Sequence, residues 1–517
     1  MAAEYVVSTP TTVSNGGAGN VIDGTDILTV DANGSITTAG NYGVGLSGGA
    51  NVINNNGTIN SGLVGVLISA GASNGNIINN SGTISALGAN STGVLIDINS
   101  IENTVNNSGI ISSEGFNAFL AVNGTNGTVL NNSGKIVNTG GNPSITFMAN
   151  DSTLNLAAPS FIGGAMEFNF TGVEITTGRS QSNLWDFSNG NPSVSFVNGG
   201  VPYAWAGDKF ATIDPTALSA APEMAAGLTS GVSELVRNNS EGGEFWLKSF
   251  GAYSQADANG IYNDYYNFNA GIVGGVSAQI NKDFYAGVTL GYGVSNLSVN
   301  SKWETSQTVN SKGVLGGFYA KSQIDNFFAD FALIGGLMGN DSSRLVNDNL
   351  ATMGIDYANA TYNSWFLAPE LRIGVDIASD SDWTLTPSAF VRYSSQATDG
   401  YTETGSNANA TIGARTTQAL EGNVELAAST ALESGTLTLA GGLDYRQNIG
   451  ATTQNVTLLG QNLAMPLSTT STIIGYASAN ASFDIGNNMN FDINSKAAFG
   501  TNGYKFISGT VGISGKF

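Results

Sequence analysis

The chain contains no cysteine and no histidine. Without histidine, Ser-His-Asp and Cys-His catalysis fall away together with most zinc chemistry. The lack of cysteine suits a polypeptide that crosses an oxidising compartment unfolded, where a thiol could close a bridge too early. Charge is also scarce, at 11% of residues, against roughly 25% in ordinary soluble domains. The 38 acidic and 17 basic side chains give a net charge of −21, the wrong sign for a phosphate backbone, so no nucleic-acid partner is expected. No stretch of about 18 apolar residues exists, which excludes a transmembrane helix. The opening MAAEYVV has neither the basic start nor the apolar run of a signal peptide. It reads as a mature N-terminus, with Met1 added and Ala2 and Ala3 left near a cleavage site.

What the chain has instead is glycine, 69 in 517 residues, and an internal repeat. Residues 54–59 read NNNGTI, 79–84 NNSGTI, 106–111 NNSGII and 131–136 NNSGKI, with DANGSI at 31–36. The marker glycines Gly34, Gly57, Gly82, Gly109 and Gly134 are spaced by 23, 25, 27 and 25 residues, a solenoid period. Between them recur short apolar strands, GVGL from Gly43, GVLI from Gly65 and Gly93, and AFLA from Ala118. Asn-Gly corners tolerate left-handed backbone, and stacked side-chain amides can bond rung to rung. The pattern predicts a parallel β-helix of five regular rungs, about 25 Å long, capped by irregular residues 1–25 and continued by atypical rungs over Ser144–Phe170. Trp185, Phe187, Tyr203 and Trp205 are expected to close its base. Asp23, Asp26 and Asp31 near the first rung lack the GGxGxD context of calcium-binding rolls and read as solvated acids, so no metal or cofactor is expected.

Residues 215–237 form the one convincing helical segment, with Met224, Leu228, Val232 and Leu235 on one side and Pro222 suited to a first turn. Its many Ala, Gly and Ser residues make it thin enough to occupy a narrow pore. From Glu244 onward the chain divides into twelve alternating segments. In one, Leu367, Pro369, Leu371, Ile373 and Val375 alternate with Ala368, Glu370, Arg372, Gly374 and Asp376. Tight turns (Asn281–Asp283, Ser322–Asn326, Ser379–Asp382, Glu433–Gly435, Gly486–Asn488) alternate with long connections (Gly339–Tyr357, Ala397–Gly413, Gln447–Ser468). Short turns on one rim and long loops on the other are the pattern of an outer-membrane barrel, with an apolar exterior and a polar lumen. Trp246, Tyr285, Tyr292, Trp365, Trp383, Tyr393, Tyr504 and Phe517 would form its interfacial girdles. The lumen face then collects Glu370, Arg372, Arg392, Glu421, Glu425, Asp444, Arg446 and Lys496, expected to pair with one another and face the helix.

Solenoid repeats, the FATIDPTAL run from Phe210, the EFWLKSFG segment from Glu244 and the final SGTVGISGKF together resemble monomeric autotransporters of type V secretion. The resemblance implies an all-β protein with a passenger over 1–210, a linker and pore-threading helix over 211–243, and a twelve-stranded translocator barrel over 244–517. It also implies outer-membrane lipid and the barrel-assembly machinery as partners, with terminal Phe517 as the assembly signal, a monomer, and an extracellular passenger. The passenger's expected role is adhesion or cell-cell contact through a host or neighbouring-cell surface ligand, without enzymatic activity. A pore covered by the helix and solenoid is the alternative. Some relatives cleave themselves at an Asn-Asn pair inside the helix. Here Asn238 and Asn239 follow the helix and precede Trp246 by eight and seven residues, so an uncleaved chain is expected.

Overall fold

The computed structural model describes residues 2–12, 21–71, 74–169, 171–237, 244–378 and 382–516. Its N-terminal part is a parallel β-helix whose three faces are sheets of nine, seven and seven strands. Seven complete turns therefore stack, rather than five, about 34 Å of rod at 4.8 Å per rung. The first turn is built from Glu4–Val7, Pro10–Thr12 and Val21–Asp23, so part of the expected N-terminal cap is itself a rung. Each inward position continues as a column through the stack: Leu28, Ile53, Ile78, Val105, Leu130 and Leu154 on the first face, and Ile36, Ile59, Ile84, Ile111, Ile136 and Ile162 on the second. Nearly all are fully buried.

The asparagines do two jobs. Asn55, Asn80, Asn107 and Asn132 turn inward at a corner, each amide nitrogen donating to the next residue's oxygen at 2.7 Å. Asn54, Asn79, Asn106, Asn131 and Asn155 form a second, outward ladder at 2.6–2.9 Å. Asp26 is not a solvated acid. It is buried, accepts from the Ala3 amide at 2.7 Å, and its own amide bonds Asn51, the first member of a third ladder through Asn76 and Asn103. The repeat glycines are not left-handed either. A Cβ on Gly82 would lie 2.0 Å from the Gly57 carbonyl oxygen, and one on Gly109 2.1 Å from that of Gly82. Glycine is required there because consecutive rungs touch.

The C-terminal part is an antiparallel barrel of twelve strands, closed by pairing of Glu244–Ala256 with Lys505–Lys516. Its outer face carries an apolar belt including Leu290, Leu337, Leu371, Ile373, Val424 and Leu443. A continuous exposed belt of this kind on strands with an inward polar alternation marks a lipid-facing surface. Tight turns join the strands on one rim, as at Asn281/Phe284, Leu432/Gly435 and Gly486/Met489. On the other rim the fourth, fifth and sixth strands (Thr305–Ile324, Phe327–Asp348, Ile355–Val375) run for 20, 22 and 21 residues, about twice what a bilayer requires. The expected long loop Gly339–Tyr357 is thus mostly sheet. Above the membrane its end is buried against the solenoid and the cap region instead of separating lipid from lumen, so it has no reason to alternate apolar with polar residues. The other two long connections contribute a four-stranded cap sheet: Tyr401–Thr402, Ala410–Ile412, Thr453–Leu458 and Gln461–Pro466.

Candidate functional site

Solenoid and barrel meet at a neck where they share one sheet. Solenoid strand Ser182–Asp186 pairs in parallel with Val346–Asp348, the projecting end of the fifth barrel strand. Asn347 fills the joint: its Oδ1 accepts from the Ile162 amide and the Trp185 indole, both at 2.9 Å, and its Nδ2 donates to the Ile162 and Gly354 carbonyls at 2.7 and 2.9 Å. Beside it, Trp303 donates to the Pro159 carbonyl at 2.7 Å. Trp185, Phe187, Phe210, Tyr203 and Trp205 close the solenoid core, Trp185 stacking on Phe210 with centroids 5.4 Å apart.

From the neck the chain enters the barrel as the helix Thr216–Arg237. Asp214 starts it, its carboxylate accepting from the Thr216 amide at 2.9 Å and from the Thr216 hydroxyl. Burial pushes this carboxyl up, against hydrogen bonds from Thr216, Asn263 and Ser306 that pull it down. Pro215 immediately precedes the first helical residue, Thr216, so Pro222 lies inside the helix instead of in its first turn. At the other end Lys321 donates to the Arg237 carbonyl at 2.9 Å.

One side of the helix is greasy and so is the wall it meets. Leu228, Val232, Leu235 and Val236 pack on Trp246, Phe250, Leu315, Tyr319, Ile334 and Phe366. The lumen is therefore half apolar, where the alternation predicts a polar lining throughout. Trp246 points into this half and donates to the Tyr319 hydroxyl at 3.2 Å, so it is not a girdle residue. A Cβ on Gly231 would lie 2.4 Å from the Phe250 ring, which explains why the helix carries glycine at this contact.

The opposite side of the helix is polar and meets the charged wall. Arg392, buried, bonds Glu370 through Nε at 2.8 Å, Glu421 through Nη1 at 2.8 Å and the helix hydroxyl of Ser230 at 3.0 Å. Ser233 donates to Glu370 at 2.8 Å, and Arg237 lies 3.8 Å from it. Arg446 continues the chain of charge to Glu421 at 3.3 Å and to Glu223 of the helix at 2.6 Å. Of the eight lumen residues read from the sequence, Glu370, Arg392 and Arg446 touch the helix directly and Glu421 bridges the two arginines. The other four pair along the wall: Arg372 with Glu425 at 3.3 Å, and Lys496 with Asp444 at 3.4 Å. A polar cavity of about 580 Å³ lies between Arg372, Glu425 and Lys496 on the wall and Glu234 and Arg237 of the helix. The alternation alone missed Glu223, Glu234 and Arg237, because helix residues carry no strand signal, and Asp330, which pairs with Arg372 at 3.5 Å. Lys248 and Asp492, 3.0 Å apart, sit on inward positions whose parity with Trp246 could have revealed them. Asn238, Asn239 and Phe517 lie outside the described residues.

A twelve-stranded barrel with a helix through its lumen and a solenoid on one rim is joined by sequence evidence. The profile of the autotransporter beta-domain family matches residues 245–503. The chain belongs to this family. The autotransporter is similar to the translocator domain of NalP from Neisseria meningitidis, at 19% identity, with 58% of this chain and 98% of that one covered and a TM-score of 0.48. It is also similar to the beta domain of the Bordetella autotransporter BrkA (19% identity, 54% and 100% covered, TM-score 0.39). The transport unit of AIDA-I from Escherichia coli matches at 13% identity, with 54% and 92% covered and a TM-score of 0.40. No curated protein sequence matches it. The autotransporter's barrel is an outer-membrane translocator, and its solenoid is the passenger.

Proposed function

We propose that this autotransporter exports its own solenoid and holds it, uncleaved, outside the cell as a non-enzymatic adhesive or cell-contact surface. The direction of the helix carries the reading. It enters beside the projecting strands with Asp214 and leaves at the short-turn rim beside Lys321, the path expected of a chain drawn outward through its own pore. Lipid contacts the apolar belt, and the assembly machinery reads the last strand. The outward Asn ladder offers a long row of weak polar contacts to a host or neighbouring-cell ligand and no paired nucleophile and base. Cells displaying the full chain should aggregate or bind surfaces more than cells displaying residues 244–517 alone. Equal behaviour removes the adhesive role.

A further inference from the structure

Between the upper turns of the helix, the barrel wall and the cap sheet lies a chamber of about 60 Å³. Since a single water needs about 10–15 Å³ on this measure, it has room for a ligand of a few heavy atoms. One side is apolar, formed by Leu218, Ala221 and Met224 of the helix; the other is polar. Three buried polar atoms on that lining have no partner: Nη1 of Arg344, Nη1 of Arg415 and Oε1 of Gln454. Arg344 is 6% exposed and Gln454 1%.

Each atom's neighbours fix what it needs. Arg344 grips Glu403 through Nε and Nη2 and gives Nη2 also to the Ala408 carbonyl, which leaves the two hydrogens of Nη1 unused. Its charge is balanced by Glu403. Among the described residues no carboxylate pairs with Arg415; its electrostatic neighbours are the phenols of Tyr401 and Tyr362. Those two rings stack 4.1 Å apart and also line the chamber. Gln454 donates both amide hydrogens, to the Gly413 and Asn455 carbonyls at 2.7 and 3.0 Å, so its amide cannot be flipped and its oxygen remains an acceptor. The chamber's carboxylates are already engaged, Glu403 by Arg344 and the Ala410 amide, Asp214 by Thr216, Asn263 and Ser306.

A cavity with two unused guanidinium donors, one of them on an arginine with no carboxylate partner among the described residues, and one orphan acceptor calls for a small anion that also carries a hydroxyl. We infer that the chamber binds a protonated tetrahedral oxyanion, hydrogen phosphate or a phosphate of similar size, accepting from Arg344 and Arg415 and donating its P–OH to Gln454. The anion locks the cap sheet, through Gln454, to the barrel wall, through Arg344 and Arg415. Sulfate, which has no proton to give at neutral pH, leaves Gln454 unpaired and binds more weakly.

The test is thermal unfolding of the purified full chain in detergent, titrated at constant ionic strength with inorganic phosphate, sulfate or chloride. Phosphate should raise the unfolding temperature saturably, with sulfate at least tenfold weaker and chloride inert. Arg415→Gln should weaken the phosphate response tenfold or more; it leaves no orphan carboxylate, and its folding is checked by gel mobility before and after boiling. Equal effects of the three anions, no saturable response, or an undiminished response in Arg415→Gln overturns the proposal, the second outcome meaning that water alone fills the chamber. If Arg415→Gln does not fold, the wild-type phosphate, sulfate and chloride titrations decide the case by themselves.

Discussion

The indole of Trp185, at the base of the solenoid, donates to Asn347 Oδ1, at the tip of a barrel strand, across 162 residues of sequence at 2.9 Å. Two domains with unrelated geometry are held in register by a side chain that uses both its oxygen and its nitrogen. Asn347→Ala leaves the Trp185 and Ile162 N–H groups buried and unpaired, at about 1–3 kcal/mol each. The expected result is a neck that external protease cuts faster, with the barrel's heat stability unchanged. Equal protection in variant and wild type counts against the joint.

Arg392 bridges two carboxylates in the lumen, so Arg392→Met takes the main cation from both, leaving Glu370 with Ser233 and the more distant Arg237 and Glu421 with Arg446 alone. Breaking a buried pair from one side costs about 3–5 kcal/mol. The temperature at which the folded barrel band converts to the unfolded one on a gel should fall clearly, and Glu370→Gln in the same background should recover part of the loss.

Gly231 lies against the Phe250 ring. Gly231→Leu should push the helix off the apolar wall and raise single-channel conductance in a planar bilayer. Deletion of 215–237 should raise it further, and the intact protein should be nearly silent. A high, steady conductance of the intact chain would favour the pore reading.

In the solenoid, Gly109→Ala forces a Cβ onto the Gly82 carbonyl and should disrupt the stack, whereas Ile111→Ala should cost about 2–5 kcal/mol through a cavity alone. Denaturant unfolding followed by circular dichroism separates them: Ile111→Ala keeps a cooperative transition and Gly109→Ala loses part of the sheet signal.

Much of this architecture was legible in the sequence because two periodicities are strict. The NNSGTI spacing exposes the middle rungs, and alternation such as Leu371, Ile373, Val375 against Glu370, Arg372 exposes the barrel, because lipid and lumen demand opposite chemistry of adjacent residues. Legibility failed where that demand lapses. The rungs around Glu4 and Thr171 lack the NNSGTI corner, and the projecting ends near Asn347 are buried against the solenoid instead of facing lipid. The greasy half of the lumen around Trp246 and Phe250 answers to the helix instead of to water. The pairings of Glu223 and Arg237 could not be read from strands at all.

The central claim is the orientation of a lipid-embedded barrel carrying its solenoid outside. With no native cysteine, single-cysteine variants can be labelled on living cells by a membrane-impermeant maleimide without background. Asn106→Cys on the outward ladder should label on intact cells, Asn488→Cys at a tight turn only after the outer membrane is permeabilised, and Leu290→Cys in the apolar belt in neither case. Labelling of Asn488→Cys on intact cells, or of Leu290→Cys in any membrane preparation, would contradict the account.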